Sequence, residues 1–548
     1  MSFLPIVERE LRVRARQRAT FRNRTIAAAG MMGVCLMVLL CGHRASSAEL
    51  SKEIFITLGI LLLGFSMAAG VFLTADCLSS EKREGTLGLL FLTDLRGFDV
   101  VLGKFVANSL HAVYALLAIF PILALPLLMG GVTVGEFWRV VLVLCLTIFL
   151  SLSLGMLVSA LVHESREAIG GTLLGMMILA GFLPAFWWIW KGLTRTTLAD
   201  WLLWASPANA YRAALAAFYR NNVAAREYWC SVLTLSGLGL AFLSLAAVVL
   251  PRALGEREAK PELTNNPNLS QLEKRTSGSA GAWDRTRCLE SAPFCWLASR
   301  NRSVGKLSWI IVGSLCAIWA GFLFQTMLDR NVHFAFSLCM VSGFAAHVVF
   351  KILVAVEATR QVHADRTSGA LELILVTPLR ESEILNGLGE ALTAKFLTQR
   401  MVLICVNLAM AGAVAMLHNL GMNRDDQGRF LELFFGGILL LWLDFKTMRI
   451  FGIWRALQAT RHARAVAGTI GWVLGMPWAG LVLMFLLLSG GAFGRAEPAI
   501  FISFFFLGAI VLDFLLTEKA KAEMEIGLRA ILSEPHESRL ASSNPKSY

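Results

Sequence analysis

The run Ile54–Thr74, IFITLGILLLGFSMAAGVFLT, holds 21 residues without a charge. A helix rises about 1.5 Å per residue, so this run spans about 30 Å, the thickness of a bilayer's hydrocarbon core. Eleven further apolar runs are found along the 548 residues. In the first half they are Ile26 to Cys41, Phe105 to Met129, Val140 to Val162, Ala168 to Trp190 and Trp229 to Leu250. In the second half they are Trp309 to Leu328, Phe334 to Val356, Phe396 to Leu417, Phe430 to Met448, Val466 to Leu488 and Ile500 to Leu516. Asp444, Lys446 and Arg449 interrupt the tenth; charges at mid-membrane are costly, which places them at its cytosolic exit.

Composition points the same way. Only 16% of the residues are charged and 56% are hydrophobic, whereas soluble domains are about 25% charged. A water-soluble enzyme, a disordered chain and a secreted disulfide scaffold are excluded. The expected fold is an all-α polytopic membrane protein of about twelve transmembrane helices. Of ten cysteines, Cys35, Cys41, Cys145, Cys230, Cys316, Cys339 and Cys405 lie in or beside apolar runs as small fillers. Cys77, Cys288 and Cys295 lack the spacing of a zinc or redox site, so no metal site is expected.

Basic loops stay in the cytoplasm, which sets the orientation. Arg9, Arg12, Arg14, Arg16, Arg18, Arg22 and Arg24 crowd the start, and the stretch from Arg252 to Lys306 is basic again. Both termini and the central joint are therefore expected in the cytosol. Lys191, Arg195, Arg212, Arg220 and Arg226, between the fifth and sixth runs, oppose that reading, but the rule counts short loops best. The first run imitates a signal peptide. Leu4, Val7 and Leu11 recur beside the arginines as in an interfacial helix, and the basic spacing returns mid-chain, so it reads as a first span.

A shift of 284 residues places Arg16, Arg18 and Arg22 on Arg300, Arg302 and Lys306, and Gly59 on Gly343. It also places Gly85-Thr86-Leu87-Gly88-Leu89-Leu90-Phe91-Leu92-Thr93-Asp94-Leu95-Arg96 on Gly369-Ala370-Leu371-Glu372-Leu373-Ile374-Leu375-Val376-Thr377-Pro378-Leu379-Arg380. Further on the shift becomes 297, where Gly171-Thr172 meets Gly468-Thr469. The chain thus reads as two parallel six-helix repeats, since an even number of spans returns each copy to the same side. Residues 1–250 form the first unit, beginning with the amphipathic helix, and 291–548 the second, ending in a short cytosolic tail. Residues 251–290, with Asn265, Asn266, Pro267 and Ser277-Gly278-Ser279, read as a flexible cytosolic linker.

The repeated segment after the second and eighth spans is amphipathic. Leu87, Leu90 and Phe91, like Leu371, Ile374 and Leu375, share one helical face, with Glu81, Lys82, Arg83 and Glu84 just ahead of the first set. A charged cluster, Gly, a small residue, Leu-rich positions and Thr-Pro resemble the cytosolic coupling segment of type-2 ABC exporter permeases. The likeness is strong over 81–104 and 365–387 and looser along the spans. It implies the permease subunit of an ATP-driven exporter, in a bacterial cytoplasmic membrane. It implies docking of a separate ABC ATP-binding subunit on Glu84, Gly85, Thr86, Leu87, Leu90 and Thr93, and on Gly369, Leu371, Glu372, Thr377 and Pro378. Two copies of that subunit are implied, because one chain holds two segments, and ATP and Mg would bind there. Asp94, Gly88 and Ala370 depart from the family pattern.

The chain's own motifs do not make an ATPase. Gly305-Lys306 is followed by Leu307, with Arg300 where a phosphate loop needs glycine, and Leu488-Ser489-Gly490-Gly491 continues with Ala492. His163-Glu164 does not extend to a zinc-protease motif. Within spans, His111, Tyr114, Ser151, Ser153, His347, Lys351 and Asn407 are polar. The histidines are expected to bond neighbouring helices and Lys351 to snorkel toward the headgroups. Two other classes fit the layout: a major-facilitator secondary transporter, whose equivalent loop is shorter, and a membrane scaffold that only recruits a soluble partner. In a cysteine-free variant, cysteines placed from Arg44 to Lys52 should react with an impermeant maleimide in intact cells, whereas Ser277→Cys should not; labelling at 277 overturns the orientation.

Overall fold

The computed structural model describes residues 18–41, 46–87, 96–162, 164–194, 201–219, 222–258, 294–295, 309–310, 312–314, 316–317, 320, 332–416, 424–459, 462–488 and 498–533. Among these the regular structure is helical, without a strand. The amphipathic start, the linker beyond Glu258 and the tail lie outside them, as does most of the seventh apolar run; residues 251–258, expected in the linker, continue a helix instead.

The helices are α1 (Arg18–Cys41), α2 (Ser47–Leu73), α3 (Cys77–Glu84), α4 (Gly97–Leu123), α5 (Val134–Leu161), α6 (Ser165–Met177), α7 (Leu183–Thr194), α8 (Pro207–Ala214) and α9 (Asn222–Glu258). Then follow α10 (Val332–Thr367), α11 (Ala370–Leu375), α12 (Glu381–Met416), α13 (Arg424–Gln458), α14 (His462–Ile470), α15 (Met476–Leu488) and α16 (Pro498–Ser533). Among the described residues seven helical stretches are long and apolar enough to cross a membrane: Ser47–Arg83, Gly97–Leu128, Val134–Leu161, Glu167–Trp187, Ala225–Pro251, Glu381–Gly412 and Arg464–Met484. The first apolar run forms the shorter helix Ala27–Leu39. The eighth, tenth and twelfth fall within α10, α13 and α16, of 36, 35 and 36 residues, which carry charged residues along their length.

Two compact units emerge: of the described residues, mainly 18–258 with 332–339 and 482–488 build the first, and mainly 340–481 and 498–533 build the second. In the first, α5 is the central helix. It packs against α2 and α9 and is the most buried of the seven stretches. In lipid, helices gain little from hydrophobicity, so association rests on small residues that admit close backbones. Ser151, Ser153, Gly155, Ser159 and Ala160 supply them. The Ser151 hydroxyl accepts from the Gly70 amide at 2.8 Å and donates to the Met67 carbonyl at 2.7 Å. Thr74 Oγ1 donates to the Leu152 carbonyl at 3.0 Å. α8 packs on α5 and α9, and Glu136 of α5 accepts the Ala216 amide at 2.7 Å. Arg212, one of the basic residues that opposed the topology, donates to Asn209 Oδ1 beside it.

In the second unit α13 packs against α16 and α12. Gly452 of α13 meets Ala358 and Thr359, as Gly155 of α5 meets Thr74; the glycines are 297 residues apart and Thr74 and Ala358 are 284 apart. Thr172 and Thr469, also matched by the shift of 297, donate to the Ala168 and Ala465 carbonyls. The fifth and eleventh apolar runs each contain a π-turn, Ile178–Phe182 and Gly471–Gly475. Each precedes a proline, Pro184 or Pro477. Proline has no amide proton and its ring crowds the carbonyl four residues back, so the helix widens there. The Ala180 carbonyl that Pro184 leaves free accepts Ser206 Oγ at 3.4 Å.

A Cβ on Gly70 would lie 1.9 Å from the Ser151 carbonyl oxygen, whereas one on Gly64 meets nothing within 4 Å. Gly70→Ala should therefore cost about 1 to 3 kcal/mol or more by forcing α2 off α5, and Gly64→Ala little. Thermal unfolding of the detergent-purified chain checks both; equal midpoints would contradict this packing.

Candidate functional site

The amphipathic segment of each half begins at an elbow. Gly85 and Gly369, paired by the 284-residue shift, both adopt left-handed backbone, φ +72° and +73°. Glycine reaches this region without a Cβ penalty, which lets a descending helix stop and a new helical turn begin. Gly85 ends α3 and Gly369 precedes α11.

Each elbow is fastened to the central helix of its unit. The Ser159 hydroxyl on α5 accepts the Leu78 and Ser79 amides at 2.9 and 3.0 Å, capping the start of α3. Asp76 accepts Ser79 Oγ and Ser165 Oγ, each at 2.7 Å, and pairs with Arg83 at 3.0 Å. The Lys82 ammonium donates to the Ser159 carbonyl at 3.3 Å and to that of Ala160, the last carbonyls of α5. In the second unit the Arg366 guanidinium donates to the Leu457 carbonyl at the end of α13. Lys82 and Arg366 are 284 residues apart and Ala160 and Leu457 are 297 apart, the two shifts of the repeat. A cation here satisfies carbonyls without helical partners and complements the dipole's negative end.

The expected contact residues divide between inside and outside. Leu87 is fully buried and joins the first unit's core, and Leu371 is 3% exposed. These leucines anchor the elbows to their own chain instead of lying open for a partner. Gly85, Thr86, Glu372, Thr377 and Pro378 are exposed, and Gly369 is half-buried. Glu84 ends α3. Leu90 and Thr93 lie outside the described residues, with Gly88 and Asp94. The sequence reading passed over Leu373 and Val376, 74% and 86% exposed. Stepping the α11 residues at 100° each, with Leu371 inward, would have marked them. It also passed over Lys82 and Arg366 as caps, although both stand three residues before the elbow glycine.

A carboxylate and a lysine close the base of each segment. In the first half Lys104 of α4 pairs with Glu81. In the second, Glu357 of α10, 4% exposed, pairs with Lys395 of α12 at 2.6 Å and Arg360 at 3.0 Å. Burial alone would raise the Glu357 carboxyl, but Arg360 and Lys395 beside it hold it down to about 2. Asp365 is pushed up by burial, against the pull of Arg360. In the spans, His347 bonds Asn407 at 2.8 Å, the neighbouring-helix role expected of it; the His111 side chain lies outside the described residues. Lys351 does not snorkel: it pairs with Asp444 in the packed interior.

Residues 7–255 match the family described as ABC-2 family transporter protein. The amino-terminal half carries an ABC-2 transporter family domain. The protein is a multi-pass integral membrane protein, and this half is a transmembrane permease domain of an ABC transporter, a component distinct from the ATPase. The domain implies association with an ABC ATP-binding subunit. No curated protein matches the chain significantly.

Because the folded Glu357 carboxyl titrates below its usual value near 4.5, its stabilisation is complete above that pH and is lost as pH falls toward 2. Glu357→Gln should abolish this acid-linked loss, on the order of 3 kcal/mol, in unfolding midpoints measured from pH 5 to 2.5. Parallel wild-type and variant profiles would contradict the assignment.

Proposed function

We propose that this chain is the whole permease of an ATP-driven exporter in a bacterial cytoplasmic membrane, with its termini in the cytosol and two six-helix halves in tandem. Two ABC ATP-binding subunits, holding ATP and Mg, dock on its elbows. The supporting observation is the matched pair of elbows: a left-handed glycine, a buried leucine and a cation on the last carbonyl of the central helix recur at repeat-related positions. A tether that places charge on a helix end transmits displacement of the elbow to that helix. Docking on Gly85, Thr86, Glu372, Leu373, Val376, Thr377 and Pro378 would move α3 or α11 and, through Lys82 or Arg366, α5 or α13. Glu84, Leu90 and Thr93 complete the proposed first surface, and Leu87, Gly369 and Leu371 support the two surfaces from within. A facilitator or a passive scaffold has no need of paired tethers at exposed elbows.

Two substitutions separate docking from transmission. Leu373→Asp with Val376→Asp puts carboxylates into an apolar contact and should weaken copurification of the ATP-binding subunit about tenfold or more. Lys82→Met with Arg366→Met should leave copurification intact and lower substrate-stimulated ATP hydrolysis at least as much. Undiminished copurification in the first variant would sink the docking reading. Native mass measurement tests the count: a complex containing two 60.0 kDa chains would rule out the single-chain permease.

A further inference from the structure

The second unit buries one lysine and two aspartates that the docking reading leaves unused. Lys351 of α10 pairs with Asp444 of α13, and Asp513 of α16 stands beside the α13 turn that carries Asp444, where Thr447 bonds its backbone carbonyl. The lysine and the two aspartates are 8%, 4% and 3% exposed. Asp513 Oδ2 is buried with no hydrogen-bond partner. The other neighbour is the Thr447 hydroxyl, at 3.4 Å from the Asp513 carbonyl and 3.2 Å from the Thr517 hydroxyl. Asp444 stands 13 residues before the capped Leu457 and Lys351 stands 15 before Arg366, so both lie about 20 Å from the elbow. Trp454 of α13 donates to Glu523 of α16 at 3.1 Å; each is ten residues beyond its aspartate, which puts Asp513 at the same depth. All three residues fall within the eighth, tenth and twelfth apolar runs. At the matching positions of the first unit the shifts of 284 and 297 place Met67 and Thr147, which cannot form such a pair.

Two buried carboxylates at one depth have one ammonium between them. If both were ionised, one negative charge would remain uncompensated in an apolar interior, and like charges at close range disfavour the second ionisation. The groups acting on Asp513 are Asp444 on α13, Lys351 on α10 and the Thr447 hydroxyl. We propose that the second unit is a proton-binding site: Asp513 carries a proton and donates it to the Asp444 carboxylate, which Lys351 holds from the other side. The ligand is the proton, and its place is the junction of α10, α13 and α16. Departure of α16 from α13 would break the donated bond, so proton release is tied to separation of these helices, whatever the ATP-binding partner does.

Infrared spectroscopy of the purified full chain tests this directly. At neutral pH the wild-type spectrum should contain a protonated-carboxyl stretch, shifted in deuterated buffer, that Asp513→Asn removes. The asparagine donates a hydrogen bond in place of the proton, so this variant should fold and keep its midpoint at neutral pH, whereas Asp444→Asn should lower it by leaving Lys351 unpaired. Unfolding releases the proton, so wild type should lose stability with rising pH relative to Asp513→Asn. Absence of the band from wild type, or its persistence in Asp513→Asn, overturns the proposal. Failure of Asp513→Asn to fold while Asp444→Asn folds would move the proton to the other carboxyl and overturn it as well.

Discussion

A helix that stops at a membrane face leaves its last four carbonyls without partners, and lipid offers none. In both units of this protein the answer is a basic side chain from the neighbouring elbow: Lys82 under α5 and Arg366 under α13. Because α5 and α13 hold the centre of their units, the elbows are fixed to the element that most of the packing refers to. The left-handed glycines, the buried leucines and the salt bridges at Glu81 and Glu357 all follow from the need to keep that cation in place. A surface loop joined to the bundle by its two ends alone could move without consequence; this one cannot.

The two units reach the same arrangement by different chemistry. Lysine in one is arginine in the other, and the threonine that packs on Gly155 is alanine at Gly452. The first unit fills its interior with serine and threonine hydroxyls that bond backbone carbonyls. The second instead accepts charge, with Lys351, Asp444 and Asp513 set among apolar helices. Neutral hydroxyls bonded to their own backbone need no partner to stay satisfied, whereas buried charges hold only while their helices stay together. The second unit is thus the one whose packing depends on a protonation state.

Much of this was legible in the sequence because membrane helices are written in composition. Apolar runs along the chain mark the helices, and the 284-residue shift pairs Gly85 with Gly369. The face of the elbow was harder. Leu87 and Leu371 are apolar at helical spacing whether that face turns to a partner or to the chain's own core, and only three-dimensional packing chooses. Charges inside spans were misread for the same reason: Lys351 and Asp444 are 93 positions apart, and a lone charge at a span's end looks the same as half of an internal pair. Asp513 escaped notice because a single acid near the end of a long apolar run resembles a boundary.

The widened turns at Ile178–Phe182 and Gly471–Gly475 also alter how the fifth and eleventh apolar runs face their surroundings. Each adds one residue to a helix that otherwise advances 3.6 per turn, which rotates everything beyond it by about 100°. Residues spaced as one face of a regular helix before the turn are therefore offset in register from those beyond it. A sequence ruler that assumes an unbroken helix would assign the wrong lipid-facing residues to the whole half beyond Pro184 or Pro477. Loss of a single residue at either turn would shift that register back and turn the far half toward new neighbours, with the proline still in place.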